Sequence, residues 1–325
     1  MERVEASRLP LRLRRPARRR LVELGALVVY GVVAGWVIDS VGGLPAARDM
    51  LVPLVLGLLL ALSVTSVARL RRVVVGLAVD WLPFVLALWL YDLIRGWADG
   101  AWMPVHYGRQ IQLDKLAGLG SVPTVWLQQH LWHGADAIAW YDYATWGVYM
   151  SYFFTPTLVL AVLWWRSPPL FRRLAAMVVA LAVLGCATYV LFPAAPPWLA
   201  AQHGLVPPLD RLIGDVNLHV PVVQFGALWE TGTRYGNDVA AVPSLHAAYT
   251  LLVALFLVRR LRSPLRHLLW LYPPAMAFAL VYSAEHYVCD IVLGWIYCLV
   301  VYAVCERAFA AFARSRTAAA GAAEP

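Results

Sequence analysis

Long apolar runs, separated by polar or basic segments, constrain this chain more than any other feature. Eight such runs occur, near residues 22–41, 50–68, 73–94, 143–165, 173–192, 240–258, 267–284 and 287–306. Each is close to the roughly 20 residues that a helix needs to cross the hydrocarbon core of a bilayer. The composition, with 61% hydrophobic and 14% charged residues, excludes a soluble domain. The runs therefore predict an all-α, polytopic membrane protein with about eight transmembrane helices.

The basic residues predict how these helices are oriented. Lys and Arg together number 27, and 21 of them fall on one side of the membrane if the N-terminus is cytoplasmic. They lie in the segment before the first run, in the short connections 69–72, 166–173 and 259–266, and in the C-terminal tail. Because cytoplasmic loops are enriched in Lys and Arg, both termini are predicted to be cytoplasmic. The net charge of +8 is then a topology signal, and nucleic acid is not expected as a partner.

The same pattern predicts one integral membrane domain over residues 21–310. A basic cytoplasmic arm, 1–20, precedes it, and a disordered tail, 311–325, follows it. Two long outer segments, 95–142 and 193–239, interrupt the domain, and loops of this length commonly carry function. The first of them mixes apolar and polar residues without a spanning run, which predicts helices that lie along the membrane surface.

Two histidines stand at the predicted outer mouths of the last helices. His246 opens the sixth run in VPSLHAAYTL (242–251), and His286 opens the eighth in HYVCDIVLG (286–294). Asp290 follows His286 by four residues, so on a helix its carboxylate shares a face with the imidazole and orients it. Ionisable groups at this depth are costly and mark functional sites. The residues alone leave two chemistries open, a metal site and metal-free nucleophilic catalysis.

Three segments in order resemble motifs of the type 2 phosphatidic acid phosphatase superfamily, the membrane lipid phosphatases and phosphotransferases. PSLHAA (243–248) and HYVCDIVLG are similar to its second and third signature motifs. The upstream stretch YVLFPAAPPW (189–198), and the serine-leucine pair before His246, resemble the inositol phosphorylceramide synthase branch. Together the three segments cover about a third of the chain.

The resemblance implies a role for each residue of the trio. His286, made more basic by Asp290, attacks phosphorus and forms a phosphohistidine, while His246 protonates the departing alcohol. The implied substrates are a phospholipid donor and a lipid or alcohol acceptor. No metal, cofactor or nucleotide is required by this chemistry.

Further residues are predicted to bind the substrate. Pro243 suits the first turn of a helix, so the amides of Ser244 and Leu245 are expected to point at phosphate oxygens. Asp142, at the outer end of the fourth run, and Tyr189, at the start of the upstream stretch, complete the predicted substrate-binding set.

The cations of the family pattern are missing from this sequence. It has no Lys-x6-Arg-Pro motif, and Leu280 stands six residues before the second histidine, where family phosphatases carry an arginine. Arg234, twelve residues ahead of His246, is the first candidate to replace them. Arg109 and Lys115 are weaker candidates, and solvated loop charge is the alternative for all three.

These observations predict transfer of a phosphoryl head group, with phosphoinositol as the first candidate, at the extracytoplasmic face of a bacterial plasma membrane. The alternative within the family is a lipid phosphate phosphatase. An alternative of another class is a transporter or membrane scaffold, for which Asp80 and the Pro-interrupted third run are the best evidence. Asp80 is itself expected to make a structural hydrogen bond within the bundle.

Overall fold

The computed structural model describes residues 17–40, 48–64, 67–98, 102–220 and 236–321. Within these ranges the secondary structure is helical, with isolated β-bridges at Ala194 and no strand. The α-helices are α1 (Ala17–Ser40), α2 (Arg48–Ala61), α3 (Val67–Gly76), α4 (Leu82–Trp97), α5 (Gly108–Ala117), α6 (Pro123–Leu131), α7 (Trp140–Arg166), α8 (Pro168–Leu191), α9 (Pro197–Gln202), α10 (Leu212–Leu218), α11 (Leu245–Val258), α12 (Tyr272–Tyr282) and α13 (Val288–Gly321). A π-helical turn, Leu77–Trp81, joins α3 to α4, and a 3-10 helix, Pro264–Leu271, precedes α12.

The predicted all-α membrane architecture is confirmed in its coarse form. Five helical segments of the described chain are long and apolar enough to cross a membrane, namely Leu21–Ser40, Ala68–Trp97, Trp140–Arg166, Pro168–Leu191 and Val288–Arg316. These correspond to the first, third, fourth, fifth and eighth predicted runs. The second and sixth runs form shorter apolar helices, Met50–Ala61 and Leu245–Val258. The seventh run is divided between the 3-10 helix and α12.

The C-terminal tail differs from its prediction. α13 continues to Gly321, through most of the segment 311–325 that the sequence predicts to be disordered. An Ala-rich segment has high helix propensity. It also extends a helix that already exists, so it avoids the cost of nucleation. Most of the predicted N-terminal arm, residues 1–16, lies outside the described residues.

α11 forms the centre of the bundle. It packs against α7, α8, α12 and α13, and eleven of its fourteen residues are buried. α1 is its opposite: it packs on α2, and most of its large apolar side chains are exposed. An exposed apolar surface of this kind is what a helix presents to lipid.

Two glycines allow neighbouring helices to reach the start of α11. A Cβ atom on Gly294 of α13 would lie 2.3 Å from the carbonyl oxygen of Ser244. A Cβ atom on Gly185 of α8 would lie 2.9 Å from the side chain of Leu245. No side chain fits the first gap, so α13 packs directly against the turn that begins α11.

Asp80 makes the structural contacts expected of it. It lies in the π-helical turn, where it accepts a hydrogen bond from Trp164 Nε1 at 2.9 Å and pairs with Arg172 Nε at 2.7 Å. These contacts tie the turn to α7 and α8, away from the histidines.

The two outer segments are joined through the stretch that follows α8. The amide of His106 donates to Pro193 O at 2.9 Å, and the amide of Ala195 donates to His106 O at 3.0 Å. On the other side, Ala194 N donates to Val239 O at 2.7 Å. The helices predicted for the first outer segment are present as α5 and α6.

Candidate active site

The turn before α11 places His246 in the first turn of that helix. Ser244 is the N-cap, and its Oγ accepts a hydrogen bond from Ala247 N at 3.4 Å. Serine is favoured at this position because its oxygen satisfies an amide that has no partner within the helix. The Tyr189 hydroxyl donates to Pro243 O at 2.9 Å and so holds the turn against α8.

A backbone hydrogen bond links this turn to the second histidine motif. Ser244 N donates to the carbonyl oxygen of Asp290 at 3.0 Å. The Ser244 amide is therefore engaged by α13, which differs from the prediction that it points at phosphate. The close approach permitted by Gly294 is the physical reason. A phosphate contact by the Leu245 amide stays a prediction.

His286 lies two residues before α13 and not within it. The amides of Glu285 and His286 both donate to Leu280 O at 3.1 Å, and Ala284 adopts a φ of +63°. His286 Nδ1 is 3.5 Å from Asp290 Oδ2, an ion-pair distance that is long for a hydrogen bond. The expected pairing of His286 with Asp290 thus arises from a turn that leads into the helix, and not from one helical face.

The two histidines lie next to each other in the structure. Their ring centroids are 5.6 Å apart, with an interplanar angle of 60°. Tyr152 and Tyr149 of α7 line one side of the site. Their ring centroids lie 4.0 Å and 5.2 Å, respectively, from that of His246. The two imidazoles are close enough to act on one small group, one as nucleophile and the other as general acid or base.

A buried carboxylate from α5 holds the start of α13. Asp114 accepts hydrogen bonds from Val288 N at 2.9 Å and from Cys289 N at 3.0 Å. A carboxylate is stabilised here by the positive end of the helix dipole. Burial nevertheless raises the pKa of Asp114 above its usual value. The sequence does not reveal this role of Asp114, because nothing local to it points to a partner that lies 174 residues away.

A buried glutamine ties the second outer segment to the turn that carries His286. Gln128 of α6 donates through Nε2 to Tyr282 O at 3.0 Å and to Asp210 O at 2.8 Å, and its Oε1 accepts from Asp210 N at 3.0 Å. Gln128, Asp210 and Tyr282 are far apart in sequence, so no local motif predicts their contact. The contact fixes the position of residue 211 relative to the end of α12.

Arg211 forms an ion pair with the residue next to His286. Its Nε and its second terminal nitrogen contact the two carboxylate oxygens of Glu285 at 2.7 Å and 3.2 Å. The guanidinium also lies 4.4 Å from the centroid of the Trp198 ring. Burial lowers the pKa of Arg211, but Glu285 more than offsets this effect and the pKa is raised, so the guanidinium stays charged.

The remaining predicted residues lie elsewhere or make other contacts. Asp142 is fully buried, accepts from Ala139 N at 2.8 Å and accepts from the Tyr282 hydroxyl at 2.6 Å. Arg109 and Lys115 are exposed on α5. Arg234 lies outside the residues that the structure describes. A substrate contact by any of these residues stays a prediction.

Sequence comparisons define the class to which this fold and site belong. The family model described as the PAP2 superfamily matches residues 114–304. That match contains both histidines and Asp290, together with Asp114 and Gln128, which hold the segments on either side of His286. The chain therefore belongs to the PAP2 superfamily, and it is an enzyme of the lipid phosphotransferase and phosphatase class.

One relative indicates which branch of the superfamily this chain resembles. The chain is 27% identical over 231 residues to the phosphoinositol dihydroceramide synthase of Bacteroides thetaiotaomicron, an alignment that covers 67% of this chain and 73% of the relative. This relative is consistent with the inositol phosphorylceramide synthase-like branch. No solved structure matches the chain significantly.

Proposed function

We propose that this protein is a membrane-embedded phosphotransferase that moves a phosphoryl head group from a phospholipid donor to a lipid or alcohol acceptor. The observation that carries the proposal is the pair of imidazoles, 5.6 Å apart, with Asp290 beside His286. Similarity to a protein named as a phosphoinositol dihydroceramide synthase supports phosphoinositol as the head group.

The proposed reaction has two steps that share one intermediate. His286 attacks the phosphorus of the donor and the phosphorus–oxygen bond to diacylglycerol breaks, while His246 gives its proton to the departing oxygen. Asp290 orients His286 and stabilises its positive charge. The hydroxyl of the acceptor then attacks the phosphohistidine, and His246 takes the proton back. The products are diacylglycerol and the new phosphorylated acceptor, so atoms and protons balance.

The proposed site opens on the extracytoplasmic face of the plasma membrane. Support comes from the basic residues, because the connections at 166–173 and 259–266 lie at the opposite ends of α7 and α11 from the histidines. In this topology the chain crosses the membrane eight times, α2, α11 and the segment 264–282 make three of the crossings, and both termini are cytoplasmic.

The test uses purified protein in lipid micelles with head-group-labelled phosphatidylinositol and candidate acceptors. Both the labelled lipid product and the released label are followed, with His286→Ala alongside. Label that enters a new lipid only when His286 is intact supports the phosphotransferase. Label that is released only into water, as inositol phosphate, indicates hydrolysis of the donor. Phosphate released from phosphatidic acid, with no label moved from phosphatidylinositol, supports the alternative within the family, a lipid phosphate phosphatase.

The transporter or scaffold alternative makes a different prediction. It requires substrate flux or assembly that survives loss of His286. Its best sequence evidence, Asp80, is occupied by Trp164 and Arg172 in a structural contact. That contact gives Asp80 a role in packing, and the Pro-interrupted third run is the sequence evidence for transport that remains.

A further inference from the structure

We propose that Glu285, held by Arg211, makes the site selective for a singly charged phosphodiester over a doubly charged phosphomonoester. The inference rests on the proposed function and adds a residue that determines specificity. It concerns a charge next to the nucleophile that the mechanism itself does not use.

Position 280 cannot supply the cation that binds phosphate in this chain. Leu280 is fully buried in α12, and its carbonyl accepts the amides of both Glu285 and His286. The residue immediately before His286 is an acid, Glu285. The Arg211–Glu285 pair therefore determines the charge next to the proposed nucleophile.

The pair is rigidly built into the site. Glu285 is buried, with 8% of its surface exposed, and both its carboxylate oxygens contact Arg211. Arg211 is packed on Trp198, whose own amide donates to Ala284 O at 3.2 Å. The neighbouring Asp210 is fixed to the end of α12 through Gln128. A planar guanidinium that grips a carboxylate with two bonds holds it in one orientation.

The two charges of the pair act on an approaching phosphate in opposite senses. Arg211 attracts a phosphate oxygen, and Glu285 opposes each negative charge that comes close to His286. A phosphodiester brings one negative charge, whereas a phosphomonoester near neutral pH brings about 1.5 to 2. In a partly buried site the additional charge meets the Glu285 carboxylate with little screening by water. The pair therefore tolerates the diester and disfavours the monoester.

The test compares two substrates in the wild type and four purified variants. Catalytic efficiency is measured with phosphatidylinositol plus an acceptor alcohol and, separately, with phosphatidic acid, for the wild type, Glu285→Gln, Glu285→Asp, Arg211→Gln and Glu306→Gln. Glu306 is a matched control, because it also pairs with an arginine, Arg260, but lies 16 residues beyond Asp290 on α13. That separation places it about 24 Å along the helix from the site.

The readout is the ratio of monoester to diester efficiency, which a purely structural defect does not move. Glu285→Gln is expected to raise the ratio roughly 10- to 100-fold, as removal of one nearby charge predicts. Glu285→Asp and Glu306→Gln are expected to leave it unchanged. Arg211→Gln leaves Glu285 uncompensated, so it is expected to lower the ratio further while both rates fall. This variant keeps the test decisive if Glu285→Gln does not fold.

Two outcomes overturn the inference in distinguishable ways. If the wild type transfers phosphoinositol and the ratio does not move in folded Glu285→Gln, or rises in Arg211→Gln, the role of Glu285 is wrong and the proposed function stands. If the wild type acts on phosphatidic acid and not on phosphatidylinositol, the proposed function is wrong and the inference falls with it.

Discussion

At the scale of single residues, the site is held by side chains that come from far along the chain. Asp114 fixes the amides at the start of α13, and Gln128 fixes the end of α12. His286 lies in the short turn between these two points. Its position is therefore set from both sides by groups that do not touch the substrate in the proposed mechanism.

The Asp114 clamp gives a test of this positioning. Asp114→Asn keeps the shape but accepts only one of the two amides well, because its other terminal atom is a donor. We expect a loss of about 1–3 kcal/mol in the free energy of unfolding, since a buried amide is left without a partner. Turnover should fall about tenfold or more as His286 shifts. Asp136→Asn, an exposed change in the same outer segment, is the control, and equal behaviour of the two variants would contradict the clamp.

The two histidines are expected to respond differently to substitution. His286→Ala should abolish turnover because the nucleophile is lost, whereas His246→Ala should lower kcat about 10²- to 10⁴-fold through loss of the general acid. His130→Ala, an exposed histidine on α6, should retain activity. Assays of transfer in lipid micelles check all three variants, and normal turnover in His286→Ala would contradict the proposed mechanism.

At the scale of helices, the contact between α11 and α13 aligns the two histidine motifs. Ser244 N donates to Asp290 O across this contact, and the helices approach because Gly294 has no side chain. The distance between the histidines is therefore a property of helix packing. A change in that packing should affect catalysis without altering any catalytic side chain.

Gly294→Ala tests this dependence. The new methyl group would lie 2.3 Å from the carbonyl oxygen of Ser244, so α13 must move outward. We expect a loss of stability of about 1–3 kcal/mol from overpacking and a severe loss of turnover. Gly147→Ala in α7, where a Cβ meets nothing within 4 Å, is the matched control. Thermal unfolding and transfer assays check both variants, and an active Gly294→Ala protein would contradict the account.

The sequence predicts some parts of the site and not others for a physical reason. His246, His286 and Asp290 stand in local motifs next to apolar runs, so their convergence follows from two helix starts on one side. Arg211 pairs with a residue 74 positions away, and no local pattern records that pairing. The hydrogen bond from Ser244 N to Asp290 O is likewise absent from the sequence pattern, because the approach of a second helix is not visible in a single helix start.

At the scale of the whole molecule, the apolar runs predict where helices form better than they predict which helices are long enough to cross the membrane. The described part of each of the eight runs contains helical structure, yet only five of the described helices have the length and composition of a span. α11 is short because its N-terminus is bent into the turn that carries Ser244. This turn and a longer helix would need the same residues, and the structure has the turn.

The proposed topology predicts which surfaces reach each side of the membrane. Leu205→Cys, in the second outer segment, should react with a membrane-impermeant maleimide in intact cells, because Leu205 is 50% exposed. Ser315→Cys, exposed near the end of α13, should react only after permeabilisation. The unmodified chain supplies the background, since its cysteines are buried or partly buried. The reverse labelling pattern would place the histidines on the cytoplasmic face.

In the proposed mechanism His286 carries the phosphoryl group between donor and acceptor, and this intermediate can be trapped. Purified protein would be mixed with phosphatidylinositol labelled in its phosphate, without acceptor, and quenched under alkaline conditions that preserve a phosphohistidine. The account predicts label on the protein at His286, lost on addition of an acceptor alcohol and absent from His286→Ala. Transfer that proceeds in the wild type with no protein-bound label, or with label that persists in His286→Ala, would contradict it.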